Sequence, residues 1–244
     1  MIQMVINSTE NSRIIKYAKL KQKKYRDLYK LFIVEEKHLI EEAIKADLLD
    51  TLIIREGCDN PFDQEALWVS EAVMKKMSSN VSLNDCIGIC RIPEEKDLKG
   101  ISFIILENVQ DPGNVGTIIR TAYSLGYDAV LLSKACASPY SYKTVQSTQG
   151  ALFHIPVITG EIETLIEKVK QLGCRVYATT LDSSHSLRET VKTEKYALLM
   201  GNEGQGLSEK AIGLSDENIR IEMANFESLN VAIAMGICAY WFKH

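Results

Sequence analysis

The chain has 244 residues, of which 46% are hydrophobic and 25% are charged, and its formal net charge is −4. This composition is typical of a globular protein with a sizeable core, and it excludes a disordered or disulfide-dense chain. Because the overall charge is slightly acidic, any surface that binds nucleic acid must be local.

The six cysteines and four histidines show no metal-binding spacing. No CxxC pair occurs, and the nearest two cysteines, Cys86 and Cys90, are separated by three residues. We therefore expect reduced thiols, no metal and a cytoplasmic location. The N-terminus lacks the pattern of a secretory signal, and the longest apolar stretch, 231–242, is too short to span a bilayer. We expect that stretch to be a buried helix and the protein not to bind membranes.

The first 95 residues predict a small α/β unit. Hydrophobic periodicity and capping residues define its elements. In chain order these are a helix at 12–30, a strand and a helix within 32–46, strands at 51–56 and 67–70, a helix at 70–78 beginning at Ser70, and a strand at 86–92. The polar run 93–100 predicts a linker.

From Ile101 onward, short runs rich in β-branched residues alternate with amphipathic helical patterns such as 116–126 and 161–173. Continuous apolar strands of this kind indicate a mainly parallel sheet that is covered by helices on both faces. The sequence therefore predicts an α/β fold with a second domain at 100–244.

Three loops that follow predicted strands are unusual in composition, and ligands of open α/β sheets bind beyond the carboxyl ends of strands. The first loop, ENVQDPGNVGTIIR, begins at Glu107. Residues 111–114 predict a turn, and a helix is expected to begin near Val115 with Arg120 opposite its apolar face. Arg120 is then either a functional cation or an ordinary solvated charge.

The second loop, GNEGQGLS, follows the strand-like KYALLM. It lacks the lysine of a P-loop and the G-x-G-x-x-G spacing, and Glu203 would repel a pyrophosphate. A positively charged ligand without phosphates, such as S-adenosylmethionine, fits better. The alternative is a glycine-rich surface turn.

In the third loop a strand is expected to end near Met223 and an apolar helix to begin near Ser228. Ser228 is either the N-cap of this helix or a functional residue. Asn230 predicts a buried amide whose partners a ligand could supply.

Together these loops resemble the three signature motifs of the SpoU (TrmH) family of RNA 2′-O-ribose methyltransferases, in the SPOUT superfamily. The matching segments are NVQDPGNVGTIIRTA, LLMGNEGQGLS, and IRIEM followed by ESLNVAIA, with SYKTVQSTQGALFHIPV between the first two. The resemblance implies a SPOUT-type parallel sheet with a C-terminal trefoil knot, S-adenosylmethionine as cofactor, and a homodimer with the active site near the subunit interface.

The first unit is similar to the substrate-binding domain often fused ahead of this catalytic domain, a ribosomal-protein-like α/β fold. The similarity is carried by NSRIIKYAKLKQKKYRDLYKLFIVEEKHLIEEA, in which Glu36 stands where the family usually has glycine. The resemblance thus implies an RNA substrate-binding domain at 1–95 and a methyltransferase domain at 100–244.

The resemblance also assigns roles to residues. The donor would be bound by Thr179 (with its neighbour Thr180), Met200, Gly201, Ile221, Met223, Ser228 and Leu229. Arg120 would act on the ribose hydroxyl, held by Asn114 and Glu203, with Ser228 and Asn230 completing the catalytic site. Because the pKa of arginine exceeds about 12, we favour a role for Arg120 in binding phosphate and stabilising the emerging alkoxide.

The residues before position 30 carry a local excess of cations, with tyrosines between them, which favours RNA binding. The predicted RNA-binding residues are Arg13, Lys16, Lys19, Lys23, Lys24 and Arg26. The alternative is a solvated helix face with its tyrosines packed inward. By analogy, the separate N-terminal domain favours ribosomal RNA over transfer RNA as substrate. Two other interpretations stay open: an oxidoreductase with a degenerate Rossmann loop, and a non-catalytic protein that binds RNA or assembles ribosomes.

Overall fold

The computed structural model describes residues 4–79, 83–95, 97–181, 185–202, 204–225 and 228–244. The chain forms two compact units. The first consists of Met1–Glu94 and Tyr140–Phe153, and the second of Glu95–Pro139 and His154–His244.

The first unit contains a five-stranded mixed sheet in the order β1-β4-β3-β5-β2, with helices packed on it. Its elements are β1 (Val5–Ile6), α1 (Ser12–Ala18), a 3₁₀ turn (Lys19–Lys21), α2 (Lys23–Tyr29), β2 (Leu31–Val34), α3 (Lys37–Lys45), β3 (Leu49–Arg55), β4 (Ala66–Val69), α4 (Glu71–Met77) and β5 (Cys86–Arg91). Strand β5 is antiparallel to both β3 and β2, whereas β4 is parallel to β1 and β3.

The single helix predicted at 12–30 is interrupted in the structure. Gln22 has an extended backbone (φ −98°, ψ 134°), which separates the 3₁₀ turn from α2. Lys30 adopts a left-handed conformation (φ 54°) and ends α2. The break turns Ile14 and Leu20 into the core together with Val73 and Met74 of α4, and burial of these side chains outweighs helix continuity.

The second unit contains a seven-stranded sheet in the order β10-β12-β9-β11-β6-β7-β8, and every described pairing in it is parallel. The elements from residue 102 onward are β6 (Ser102–Leu106), α5 (Pro112–Ser124), β7 (Ala129–Ser133), α6 (Tyr142–Thr148), β8 (Val157–Gly160), α7 (Ile162–Gln171), β9 (Arg175–Thr179), β10 (His185–Ser186), β11 (Tyr196–Met200), α8 (Glu209–Leu214), β12 (Glu217–Arg220) and α9 (Val231–Lys243). The predicted parallel α/β domain is confirmed.

Helices cover both faces of this sheet. On one face, α7 and α8 contribute Leu165, Ile166 and Ala211 to a core with alternate strand residues. Side chains of neighbouring strand residues point to opposite faces. Tyr177, next to the core residue Val176, therefore faces the other side, where its ring lies 4.7 Å from that of Phe242 on α9. Helix α9 also packs against α5.

Helix α6 lies within the second half of the chain but belongs to the first unit. The ring of Phe32 on β2 lies 5.1 Å from Tyr140 and 6.1 Å from Phe153, which flank α6. Gln146 Nε2 donates a hydrogen bond of 2.8 Å to Glu36 Oε1. The first unit thus includes a segment, 140–153, that the sequence analysis placed in the second domain, because these contacts join residues more than 100 positions apart.

Within the described residues, no helix is long and apolar enough to cross a membrane. The same part of the chain contains no group of three or more His, Cys, Asp or Glu side chains arranged to hold a metal ion. All six cysteines are free thiols.

Candidate active site

A cavity of about 500 Å³ lies where β9, β11 and β12 end side by side. Its walls come from the residues after β9, the glycine-rich loop after β11, the segment after β12 and the start of α9. The volume lies within the range of roughly 300–1,000 Å³ that small-molecule sites occupy. The cavity therefore has the position and size expected for a bound cofactor.

All the residues predicted to bind the methyl donor line this cavity. They are Thr179, Met200, Gly201, Ile221, Met223, Ser228 and Leu229. The structure thus brings together residues from three separate stretches of the chain. In the sequence, their positions after predicted parallel strands indicated that these stretches would meet.

The two threonines after β9 differ in their hydrogen bonding. Thr179 Oγ1 donates to the carbonyl of Leu199 at 3.0 Å. Thr180 Oγ1 is buried and has no hydrogen-bond partner among the described residues, although Thr180 lines the cavity. Because a buried hydroxyl without a partner is costly, Thr180 is the threonine that a ligand can satisfy.

Asn218 and Arg220 on β12 also line the cavity, and the sequence analysis did not select them. Asn218 precedes the third motif, and Arg220 lies within its IRIEM segment, but neither residue was assigned a role. Only the order of the sheet, which sets β12 beside β9, identifies them.

The glycine-rich loop folds back on itself. The backbones of Asn202 and Gly206 exchange hydrogen bonds of 3.0 and 2.9 Å. Asn202 Oδ1 also accepts from the amides of Gly204 and Gln205, at 2.8 and 3.0 Å. A Cβ atom on Gly201 would lie 2.4 Å from the carbonyl carbon of Gly206, so this tight path requires glycine at 201. Glu203, predicted to hold Arg120, lies outside the described residues.

Helix α5 begins earlier than predicted. It starts at Pro112 and is capped by Asp111, whose side chain accepts from the amide of Asn114 at 2.8 Å. An aspartate cap followed by proline is a favoured helix start, so residues 112–114 form the first turn of α5 instead of a separate turn. Asn114 thus lies on the helix that also carries Arg120.

Asn230 differs from its prediction. It is exposed and is the N-cap of α9, with Oδ1 accepting from the amides of Ala232 and Ile233 at 2.9 and 3.4 Å. The expectation of a buried amide is wrong, and so is the alternative in which Ser228 caps the helix. Asn230 Nδ2 donates to Asn114 Oδ1 at 3.0 Å. This bond joins the starts of α5 and α9.

Arg120 is exposed on α5. It lies six positions after Asn114, which is about 9 Å along the helix axis. Its guanidinium forms no ion pair with another residue in the described ranges. The side chain is therefore accessible to an incoming anion.

On the first unit, the predicted cations at positions 13, 16, 19, 23 and 24 are exposed. The ammonium groups of Lys19 and Lys24 lie 5.3 and 4.8 Å from the ring of Tyr25, which stacks on Tyr29 at 6.1 Å. Tyr17 is instead buried, with its hydroxyl 3.1 Å from Thr51 Oγ1. We name the exposed set Arg13, Lys16, Lys19, Lys23 and Lys24 the basic surface.

Arg26 does not belong to the basic surface. Only 6% of it is exposed, and its Nη1 donates to the carbonyls of Leu20 and Lys21, both at 2.9 Å. Burial lowers the pKa of Arg26. The prediction that Arg26 contacts RNA is therefore wrong, because the guanidinium stabilises the 3₁₀ turn from inside the fold.

Comparisons with known proteins agree with this geometry. Residues 102–240 match the model of the SpoU rRNA methylase family, and residues 11–87 match an MRM3-like substrate binding domain. The chain is 33% identical over 98% of both chains to the 23S rRNA (guanosine(2553)-2′-O)-methyltransferase RlmP of Bacillus subtilis.

Solved structures give the same result. The AdoMet-bound rRNA methyltransferase of Sinorhizobium meliloti superimposes with a TM-score of 0.86, 29% identity and coverage of 98% of this chain and 97% of that one. An RNA 2′-O ribose methyltransferase superimposes with a TM-score of 0.81, 28% identity and coverage of 98% of both chains.

Proposed function

Because the chain belongs to the SpoU rRNA methylase family and is an S-adenosylmethionine-dependent RNA 2′-O-ribose methyltransferase, we propose that its substrate is ribosomal RNA. The observation that carries the proposal is the extent of similarity. A relative that acts on 23S rRNA matches over 98% of both chains. Two solved structures, one reported for 2-OH methylation of C/U34 on tRNA and one of the A. aeolicus TrmH/SpoU tRNA modifying enzyme, cover only 58% and 60% of this chain. Family membership also removes the oxidoreductase interpretation.

Mapping of ribose methylation tests this substrate. When the gene is deleted, we expect one 2′-O-methylation to disappear from ribosomal RNA and to return on expression of the wild-type chain. Loss of a methylation from transfer RNA alone would support the alternative substrate. Unchanged methylation in both RNA classes would support a non-catalytic role in RNA binding or ribosome assembly.

The cavity fits S-adenosylmethionine in its chemistry. Ile221, Met223 and Leu229 provide apolar walls suited to an adenine ring. The buried hydroxyl of Thr180, which has no partner within the described ranges, provides a polar contact. When bound, S-adenosylmethionine supplies a methyl group that the ribose oxygen can attack. The protein's contribution is to hold that oxygen in line, since positioning supplies much of the rate of such a transfer.

For the substrate side, we assign Arg120 to binding a phosphate of the RNA and to stabilising negative charge on the ribose oxygen. Its exposure and its lack of an ion-pair partner within the described ranges support this role. The bond between Asn114 and Asn230 keeps α5 against the start of α9, next to Ser228 in the cavity wall. We also propose Glu203 as a partner for Arg120, and the resemblance to the family motif is the sole support for this assignment.

The first unit supplies RNA affinity in this proposal. Its basic surface presents cations over stacked tyrosine rings, an arrangement that suits phosphates and unpaired bases. The free thiols and a ribosomal substrate support a cytoplasmic location.

Neutralising Lys19, Lys23 and Lys24 to glutamine is expected to weaken RNA binding. Each cation that contacts a phosphate releases counterions, so the slope of log affinity against log salt should become shallower by about two units. Titrations of RNA at several salt concentrations measure this slope. A control variant with Lys45, Lys75 and Lys134 changed to glutamine removes the same charge from exposed ion pairs elsewhere. Equal effects of the two variants would reject the basic surface as the binding site.

The last helix supports assembly into a homodimer. Ile233, Ile237 and Tyr240 are 56%, 41% and 62% exposed, and their spacing places them on one face of α9. Helix α5, which packs against α9, carries a further exposed aromatic side chain, Tyr123, which is 45% exposed. Exposed apolar faces of this kind favour a protein partner, and here we propose a second copy of the chain, with the active site close to the interface. Sedimentation of the full chain measures the assembly.

The trefoil knot of the family is likewise a proposal for this chain.

A further inference from the structure

Glu107 is a buried carboxylate that the mechanism above does not use. It follows directly after β6, and only 3% of it is exposed. Both carboxylate oxygens accept hydrogen bonds from one residue, Ser208: Oε2 from its amide at 2.8 Å and Oε1 from its hydroxyl at 2.7 Å. The amide of Glu107 donates to the carbonyl of Met200 at 2.9 Å.

These bonds hold the glycine-rich loop at both ends. Met200 precedes the loop, and Ser208 is its last residue and the N-cap of α8. Ser208 Oγ donates to Glu107 and accepts from the amide of Ala211 at 3.1 Å, so its position is set from two sides. The loop between them lines the cavity. Hydrogen bonds to Glu107 thus fix the positions of both ends of the loop.

The next residue also contacts the loop. The carbonyl of Asn108 accepts a hydrogen bond of 2.8 Å from Asn202 Nδ2, while Asn202 Oδ1 organises the loop's own amides. Asn108 has a left-handed backbone (φ 57°), and its amide is held by Ser133 Oγ at 2.9 Å. Residues 107 and 108 therefore attach the glycine-rich loop to the segment that leads into α5 and Arg120.

Packing alone does not account for a carboxylate at this position. An ionised group in a protein interior carries a desolvation cost, and an apolar side chain would fill the same space without it. Charge-assisted hydrogen bonds are stronger and more directional than neutral ones, which suits a role in fixing geometry. Both carboxylate oxygens of Glu107 accept hydrogen bonds from Ser208, which adjoins the donor cavity.

We propose that Glu107, acting through Ser208, is a positioning residue that holds the glycine-rich loop in the conformation that binds the methyl donor. The proposal rests on the assignment of the cavity to S-adenosylmethionine. Its consequence is that donor affinity depends on a side chain that does not line the cavity.

The test is Glu107→Gln in the full chain. Because the change weakens a charge-assisted pair, we expect the Kd for S-adenosylmethionine, measured by titration calorimetry, to rise about tenfold. We also expect faster amide hydrogen exchange in residues 201–208. At saturating donor, kcat and the KM for RNA should stay close to their wild-type values, which separates loop positioning from chemistry.

Four further variants test the same contact and its control. Ser208→Thr keeps the hydroxyl and the amide and should bind donor as the wild type does, whereas Ser208→Ala should resemble Glu107→Gln. Since both changes break the same contact, the double variant should bind little worse than either single variant. Glu163→Gln is the matched control, because it removes an ion pair with Lys210 on α8 without contacting the loop.

Each result decides the proposal. An unchanged Kd and unchanged loop exchange in Glu107→Gln would overturn it, as would a lower Tm with an unchanged Kd, which would show a purely structural role. If Glu107→Gln does not fold, Ser208→Ala against Ser208→Thr gives the same comparison. Failure of the wild-type chain to bind S-adenosylmethionine would instead overturn the donor site itself.

Discussion

Replacement of Arg120 by alanine is expected to lower the rate of methyl transfer by about 100- to 1,000-fold, the usual effect of removing a group that stabilises transition-state charge. The Kd for S-adenosylmethionine should stay within about twofold of wild type, since Arg120 does not line the donor cavity. Single-turnover methylation at saturating donor and RNA, with a separate donor titration, measures both quantities.

The lysine variant tests the chemistry of the group. Arg120→Lys keeps the charge but loses the planar donors that bind a phosphate through two hydrogen bonds, so we expect only partial activity. Arg175→Ala is the control, because it removes an exposed arginine that pairs with Glu217 in the same unit. Near-full activity of Arg120→Lys at neutral pH would show that the guanidinium is not required.

Replacement of Gly201 by alanine is expected to raise the Kd for S-adenosylmethionine by about 100-fold or more. The added Cβ would lie 2.4 Å from the carbonyl carbon of Gly206 and 2.5 Å from the amide nitrogen of Leu207. Both are backbone atoms and cannot rotate away, so the loop must move. A 100-fold rise in Kd corresponds to a loss of about 3 kcal/mol of binding free energy, which is within the usual cost of a forced backbone shift. Overpacking should also lower stability by about 1–3 kcal/mol.

Gly204→Ala provides the matched control in the same loop. Its Cβ would meet Asn202 Oδ1 at 3.6 Å, an ordinary contact, and Gly204 is not among the glycines with positive φ. Donor affinity of this variant should remain near that of wild type. Equal losses in both variants would indicate that the loop tolerates no side chain at all, and equal retention would show that the loop does not shape the donor cavity.

The class of the fold and a set of residues that line the cavity could be predicted from the sequence. Strands such as β6, β7 and β11 are fully buried runs of five residues, so their apolar character is visible without coordinates. Parallel strands direct the loops after them to one edge of the sheet. For that reason every predicted donor-binding residue lies in one cavity.

Other residues required the structure. Arg26 lies in a basic run, and only the break at Gln22 shows that its guanidinium turns inward. Asn230 looked buried because the helix after it is apolar, yet capping places it at the exposed start of α9.

The amino-acid sequence by itself determined the class of the fold, most of its strands and helices, and which loops line the cavity, because propensity, periodicity and motif spacing are local properties. Tertiary structure alone decided that 140–153 completes the first unit, that Asn114 meets Asn230 across 116 residues, and that Glu107 holds Ser208 across 101. These pairings depend on the order in which the strands assemble and on side-chain burial, which no local pattern encodes.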